Sequence, residues 1–566
     1  MSLGQDIVKE FDKRSTGRSN WNSIWQIIGE YVSQVKQNFE YQPDDGEFLQ
    51  YDVYDSTGTF AAHNCASALL GMLWTGSAKQ NIELAPPDDL EIETQELAEF
   101  YDKMTNRTTA AMDDPKANLS LTLDEYMLDQ IIFGTSGIGT EHDEEGNPYY
   151  TPYGVKEALL IEGKRGKVVG CLLCFEWEIG RAVEEYGIDK VSEKVRKKYQ
   201  DGATTDKIKI IHAIRPRKEK KAEAGSLAMP IESVHVEYET KHIIKETGFH
   251  ENPVAFGRFR RLNYETYGRS PAMNALPDIR EANALKEAII LATEKNLDPP
   301  QGILDDGMLG NGKIDTSPGT FTVFNASGNL GTRNPIFPLV TVGSLPDAMQ
   351  RLETLKESIS QHFFIDRLLD FNNDAQMTLG ETQIRDSIRS ASLSSLTSRQ
   401  IAEVLTPTIE RTVAGMWRAG RYGVIRGSEE EKDILLRGEE PEYLPDVIVD
   451  RLQKGKDIYK VRYKTKAAQA SRAQEYMAIL EIAGTAGQFM AVDPTIALRV
   501  DLHEGLKTIS DIRGVPVNMI RQDDVYQEML KQQQQQQQAA MALQAGQQVA
   551  GIAKDAAQAQ QISQAA

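Results

Sequence analysis

"YGRSPAMNALPDIREANALKEAIILATEKNLDPP", residues 267–300, is the stretch on which the fold turns. Apolar residues recur at Leu276, Ile279, Ala282, Leu285, Ile289 and Ala292, and such spacing places them on one face of a helix. Charges fill the other faces: Asp278, Arg280, Glu281, Lys286, Glu287, Glu294 and Lys295. Ser270 before Pro271 is a favourable entry: a serine side chain satisfies an end N–H, and a first-position proline has none to leave unbonded. Pro277 forces a kink or a second start. Asp298-Pro299-Pro300 ends the helix, because a residue before proline is pushed out of helical geometry. The helix needs a partner along its apolar side, and it leaves by a rigid turn.

Outward from this helix, 301–345 is a run of short β-like pieces punctuated by glycine and proline, which predicts a small strand-and-loop module. "PDAMQRLETLKESISQHFFIDRLL" is helical again. The pattern predicts antiparallel helices over 271–297 and 346–368, joined through a β-rich tip. "DFNNDAQM" then reads as a loop, and Thr378 with Glu381 has capping-box spacing for a helix to about Leu405. Thr406-Pro407 kinks or restarts that helix, and Gly420 is its expected C-cap.

On the N-terminal side, helices are expected through residue 80. One presents Trp21, Ile24, Ile28 and Tyr31. The next turns Ala61, Cys65, Ala68 or Leu69, and Met72 inward, with Asp55, Ser56 and Thr57 as capping candidates. Two more helices cover 93–140, split near "MDDPKANLS". Residues 141–262 change character: "KVVGCLLCFEWEI", "KIKIIHAIRPR" and "ESVHVEYET" predict strands, with a helix at "VSEKVRKKY". Residues 466–530 predict helices broken at "DPTIAL" and "RGVPVNM". A glutamine run, Gln532–Gln538, leads into Ala- and Gln-rich sequence. Such composition is often disordered. One helix from about Asp523 to Ser563 is nevertheless expected where copies lie side by side and bury Val525, Met529, Leu543, Val549, Ile552 and Ile562.

The chain has 566 residues, too many for one core, so two to four structural units are expected. Asp plus Glu number 83 and Lys plus Arg 63, a net charge of −20. That charge favours solubility and repels a nucleic-acid backbone overall; a sequence-reading DNA binder would be basic, whereas a protein that lets DNA slide past could be acidic. Three cysteines, Cys65, Cys171 and Cys174, make no disulfide framework and point to assembly in a cytoplasm. No signal peptide or membrane-spanning run is read in the sequence.

Motifs that could carry chemistry are weak. "GMLGNGK", 307–313, has phosphate-loop spacing, but Ile314 stands where magnesium binding needs Ser or Thr. Cys171 and Cys174 have zinc-ligand spacing without a second pair, and strand alternation puts them on opposite faces. His63, among small helical residues, is expected in the core or at an interface. No Ser, His and Asp arrangement is evident, so neither a catalytic residue, a metal nor a cofactor is expected. "RPRKEKK" is the densest basic cluster, and Arg215, Arg217 and Lys218 are candidates for contact with DNA or an acidic partner; the alternative is a solvated loop.

"YDSTGTFAAHNCASALLGML", "YGRSPAMNALPDIREANALKEA…DPP", "MTLGETQIR", "HAIRPR" and "AVDPTIA…GVPVNMIRQ" together resemble the head-to-tail connector, or portal, proteins of short-tailed bacteriophages, over about residues 15 to 525. The resemblance implies an α+β, mainly helical portal fold, with a wing (1–266), a first stem helix (267–300), a clip (301–345) and a second stem helix (346–369). A tunnel loop (370–378), a long kinked helix with the remaining wing (379–465), a crown (466–522) and a C-terminal barrel (523–566) follow. It implies a ring, usually of twelve copies, at one capsid vertex of the virion, assembled in the host cytoplasm. Its partners would be the large terminase, tail adaptors, the major capsid and scaffolding proteins, and double-stranded DNA passing without sequence recognition. No membrane is involved. Channel-facing residues would be Asn372, Asn373, Asp374 and Gln376, and clip docking residues Asp305, Asp306, Lys313, Asp315 and Arg333. The competing readings are a nucleotide-driven DNA motor and a non-viral coiled-coil scaffold.

Overall fold

The computed structural model describes residues 2–33, 39, 53–90, 94–218, 225–305, 317–325, 336–339, 343, 345–368, 396–427, 431–432, 435, 440–464 and 473–490, with a few short pieces between 505 and 536. The tunnel-loop expectation and the phosphate-loop motif lie outside these residues.

The elements, in chain order, begin with α1 (Leu3–Gly17), α2 (Ser19–Ile28), α3 (Thr57–Leu73), α4 (Ala78–Asn81), β1 (Ile82–Ala85), α5 (Gln95–Asp113) and α6 (Leu119–Phe133). Next come β2 (Thr135–His142), β3 (Pro148–Gly154), β4 (Ala158–Glu162), β5 (Val168–Glu178), α7 (Ile179–Tyr186), α8 (Glu193–Gln200), β6 (Lys207–Pro216), β7 (Ile231–Glu237), β8 (Ile243–Phe249) and β9 (Val254–Arg258). They are followed by α9 (Pro271–Leu297), β10 (Gln301–Asp305), β11 (Phe321–Asn325), β12 (Ile336–Pro338), α10 (Leu345–His362) and α11 (Ile365–Leu368), and later by β13 (Lys460–Tyr463). The mixture of helix and sheet is the expected α+β class. The chain divides into two compact units: residues 1–75, 113–143 and 148–412 form one, and 76–112, 144–147 and 413–566 the other.

The first unit contains an antiparallel sheet in the order β4-β5-β6-β7-β8. Alternation along β5 and β6 sends Leu172, Ile211 and Ala213 to one face, where α1 lays Ile7, Val8 and Phe11 against them. A capping box between Ser2 and Gln5 starts α1. The three strands read from sequence are β5, β6 and β7. The helix expected to reach residue 140 ends at Phe133, and Thr135–His142 is instead β2 of a smaller sheet, β3-β2-β9; its sequence, "TSGIGTEH", hides the strand because glycines stand where β-branched residues would signal one. Those glycines make room for aromatic neighbours. A Cβ on Gly137 would lie 2.5 Å from the Phe256 ring, and one on Gly139 would lie 2.6 Å from Tyr153.

The inward faces expected of two helices are corrected in part. Trp25, Ile28 and Val32 form the buried face of the second helix, while Trp21, Ile24 and Tyr31 are only half-buried. Trp25 takes the core position because its ring meets Tyr267 edge-on at 5.2 Å and its Nε1–H donates to the Phe133 carbonyl at 2.9 Å. On α3 the inward residues are Ala61, Ala62, Cys65, Ala66, Leu69 and Leu73, so Met72 is half-buried and His63 is exposed on the outer face. Asp55, rather than Ser56, accepts the Thr57 N–H at 2.9 Å.

In the second unit, long-range contacts join distant segments around buried Leu84, Leu97, Met104 and Ile448. β1 pairs antiparallel with β13, Ile82 opposite Tyr463. Arg451 forks onto the Asp89 carboxylate at 2.8 and 3.1 Å, and Glu442 receives Lys103 and Arg107 at 3.0 and 2.5 Å. Gly420 closes the helix Thr406–Arg418 with φ +70°, the left-handed cap expected of it. The helix Ala473–Met490 leaves Met477, Ile482 and Phe489 exposed.

Candidate functional site

α9 occupies the residues expected of it. Ser270 Oγ accepts the Met273 N–H at 3.0 Å, with Pro271 in the first turn. Pro277 starts no second helix; it is exposed, so the carbonyl left by its missing N–H can face solvent. The near half of α9 is anchored. Ile279 packs over Gly58, and Asn283 Oδ1 accepts the N–H groups of Tyr54 and Asp55 at 2.6 and 3.2 Å. Lys286 reaches Asp55 at 3.4 Å. Burial pushes the Asp55 carboxyl up, but hydrogen bonds from Thr57 and the charge and hydrogen bond of Lys286 outweigh it and hold it below its usual range.

α10 runs antiparallel to α9. Arg351 bonds Glu281 at 2.8 Å, whereas Ser358 and His362 meet Asp278 at 2.6 and 3.5 Å, so one helix rises as the other descends. Leu352, Leu355 and Ile359 form its buried face. The helix expected to run to residue 368 breaks earlier. Phe364 adopts a left-handed φ of +59°, which buries Phe363 and separates α10 from α11. Between α9 and α10 lies a three-stranded sheet, β11-β10-β12, with β10 parallel to β11 and antiparallel to β12.

The far half of this hairpin is uncovered. After Asn283 no α9 side chain is fully buried, and Ile290, Leu291 and Leu297 are exposed, Leu297 to 82%. Met349 on α10 and Phe321 and Ile336 on the tip sheet are exposed as well. Large apolar side chains exposed along one hairpin are what an interaction surface would bury.

The other sequence candidates are distributed differently. Arg215 is buried, not available for an external contact. It bonds Glu232 at 2.6 Å and also meets Glu10 and Asp6, because its strand position points it under α1. Arg217 has a buried side chain that donates to the carbonyls of Met229 and Thr247 and pairs with Glu246. Lys218 is exposed. Asp305 ends β10, while Asp306, Lys313, Asp315 and Arg333 lie outside the described residues, as do Asn372, Asn373, Asp374 and Gln376. Of the barrel residues only Met529 is described, and it is exposed; Val525, Leu543, Val549, Ile552 and Ile562 are not. Burial pushes the Cys65 thiol up to about 12 and Cys174 up to about 11, and raises Cys171 further, so these are packing residues rather than thiolates. Sequence reasoning missed Arg258, whose backbone and guanidinium N–H groups bond Glu403 at 2.9 to 3.3 Å in a π-helical turn, Ile401–Leu405. No local signal links two residues so distant in the chain.

A family model for bacteriophage head to tail connecting protein matches residues 5–424. The portal protein of Salmonella phage epsilon15 is 22% identical over 557 residues, covering 97% of this chain and 94% of its own length. A probable portal protein of Bordetella phage BPP-1 is 23% identical over 521 residues, covering 91% and 88%. Among solved structures, a chain from the virion of a native gene transfer agent particle covers 68% of this chain and 90% of its own length. Its identity is 11% and its TM-score 0.28, too low to carry an argument about the fold. The family match takes in the helical hairpin, its tip and the sheets before it, and the chain belongs to the bacteriophage head to tail connecting proteins.

Proposed function

We propose that copies of this chain close into a ring, a dodecamer, at one vertex of the capsid, and that the ring is the channel for packaging and ejecting viral DNA. Connectors of this family are structural proteins, not enzymes. The observation that carries the reading is the uncovered apolar series on the hairpin, Ile290, Leu291, Leu297 and Met349, which neighbouring copies would bury. In this reading α9 and α10 are the stem. The β10–β12 tip, with Asp305, Asp306, Lys313, Asp315 and Arg333, is the clip that meets the large terminase and later the tail adaptors. Residues 370–378 line the channel through Asn372, Asn373, Asp374 and Gln376, short polar groups suited to loose, sequence-independent phosphate contact. Capsid and scaffolding proteins meet the outer parts, and assembly takes place in the host cytoplasm.

Negative-stain imaging of the purified full chain tests the proposal. Closed rings with a central hole are expected. A monomer at all concentrations, or filaments of coiled coils, would overturn it. ATP hydrolysis by the purified protein would instead favour a motor.

A further inference from the structure

The cations expected to meet DNA, Arg215 and Arg217, are consumed inside the first unit. Other cations are left over. The β4–β5 turn carries Lys164, Arg165 and Lys167, all exposed. It is a tight turn: Arg165 and Gly166 have φ of +61° and +73°, and the Gly163 N–H donates to the Lys167 carbonyl at 2.8 Å. The turn is fastened to the chain beyond β9. Arg258 Nη2–H donates to the Gly166 carbonyl at 2.9 Å, and the Arg261 guanidinium lies so close to Gly166 that a Cβ there would collide with it. Exposed Arg260 stands between those two arginines in sequence, with its guanidinium 5.9 Å from the Phe364 ring centroid.

The nearby carboxylates are already committed. Glu162 is paired with Arg261 and Arg258, Glu403 with Arg258, and Glu265 with Arg269. Lys164, Arg165, Lys167 and Arg260 have no acidic partner among the described residues. Four such cations therefore lie on the β4–β5 turn and on the segment fastened to it, in a chain of net charge −20. The loop they border is rigid. Backbone bonds between Arg260 and Arg269 close it, Tyr267 sits against Trp21 and Trp25, and the Gly268 N–H donates to Thr135 Oγ1 at 2.8 Å. At its tip Tyr264 is 84% exposed, a further hydroxyl donor. A preorganised cationic surface loses little freedom on binding an anion.

We propose that Lys164, Arg165, Lys167 and Arg260 form a contact site for the phosphate backbone of double-stranded DNA. The site deepens the channel reading above and rests on it. Phe364, which Arg260 approaches, lies just beyond the end of α10, the second stem helix of that reading. A polyanion is favoured over an acidic protein face because lysines, half of these cations, are depleted in protein interfaces but common at phosphates. Contacts of this kind carry no sequence information, as a sliding duplex requires.

The test is binding of a short DNA duplex to the full-length protein across a salt series, read by fluorescence anisotropy. Each neutralised phosphate contributes about 0.9 to the slope of log affinity against log salt. The variant Lys164→Gln/Arg165→Gln/Lys167→Gln/Arg260→Gln should reduce that slope by about three to four. The control Lys194→Gln/Lys197→Gln, on the paired surface of α8, should leave it unchanged. If the quadruple variant does not fold, Lys164→Gln/Arg165→Gln and Lys167→Gln/Arg260→Gln each read half the effect. An unchanged slope, or no duplex binding by the parent protein at low salt, overturns the site. Rings that fail to form while the slope is kept would assign the patch to an acidic face of a neighbouring copy and also overturn it. Normal rings with an unchanged slope leave the channel reading standing, whereas absence of rings in the parent protein removes that reading itself.

Discussion

His212 on β6 and His235 on β7 are cross-strand partners whose rings stack 3.8 Å apart at 17°. His212 Nε2 meets Ser233 Oγ at 2.8 Å, and His235 Nδ1 meets the Tyr186 hydroxyl at 2.9 Å. Lys245 stands opposite His235 on β8. Two neutral rings satisfy this arrangement; two imidazolium ions beside a lysine would not.

This pair predicts acid sensitivity. Burial, helped by the Lys245 charge, pushes His235 down to about 4 from 6.5, and burial with the His235 and Lys245 charges holds His212 well below its ordinary value. Above 6.5 both states are neutral and stability is at its full value. As pH falls from 6.5 towards 4, the unfolded chain takes up protons that the folded one refuses, so stability is lost. His235 alone accounts for up to about 3 kcal/mol. Urea unfolding from about pH 7 to about pH 4 should show a shallower fall for His212→Phe/His235→Phe than for the parent chain. Equal falls would remove the histidines as the cause.

Arg215 should matter for stability and not for DNA. Arg215→Leu leaves Glu232, itself 5% exposed, buried without its partner. The expected loss is about 3–5 kcal/mol in denaturant unfolding. A loss below about 1 kcal/mol, the range of a surface pair, would contradict the buried ion cluster.

Along the hairpin, packing should outweigh the visible ion pair. Leu355, 3% exposed, should cost about 2–5 kcal/mol on truncation to Ala. Arg351 and Glu281 are 56% and 49% exposed, so Arg351→Ala should change stability by less than about 1 kcal/mol. The reverse order in thermal or denaturant melts would mean the helices are held by charge.

The glutamine-rich terminus should gain order on assembly. A helix of about 40 residues is marginal alone in water, and neighbours in a ring would bury its apolar side chains. Circular dichroism and limited proteolysis of monomer and ring compare the two states. Equal protease sensitivity with no gain of helix would rule out a barrel.

The sequence by itself determined what is local. Serine and proline start α9, Asp298-Pro299-Pro300 ends it, period-two apolar runs mark β5, β6 and β7, and Gly420 caps a helix, because each depends on neighbouring residues. Five stretches in their order, from "YDSTGTFAAHNCASALLGML" to "AVDPTIA…GVPVNMIRQ", also carried a resemblance to the family to which the chain belongs. What depends on distant partners was decided only in three dimensions. Trp25 rather than Trp21 enters the core because Tyr267 and the Phe133 carbonyl meet it there. β2 is a strand because Phe256 and Tyr153 fill the space above its glycines. The densest basic run, "RPRKEKK", begins with arginines that the fold neutralises, whereas Lys164, Arg165, Lys167 and Arg260 have no acidic partner among the described residues. Charge in a sequence is a count; exposed charge depends on which carboxylates the fold brings within reach.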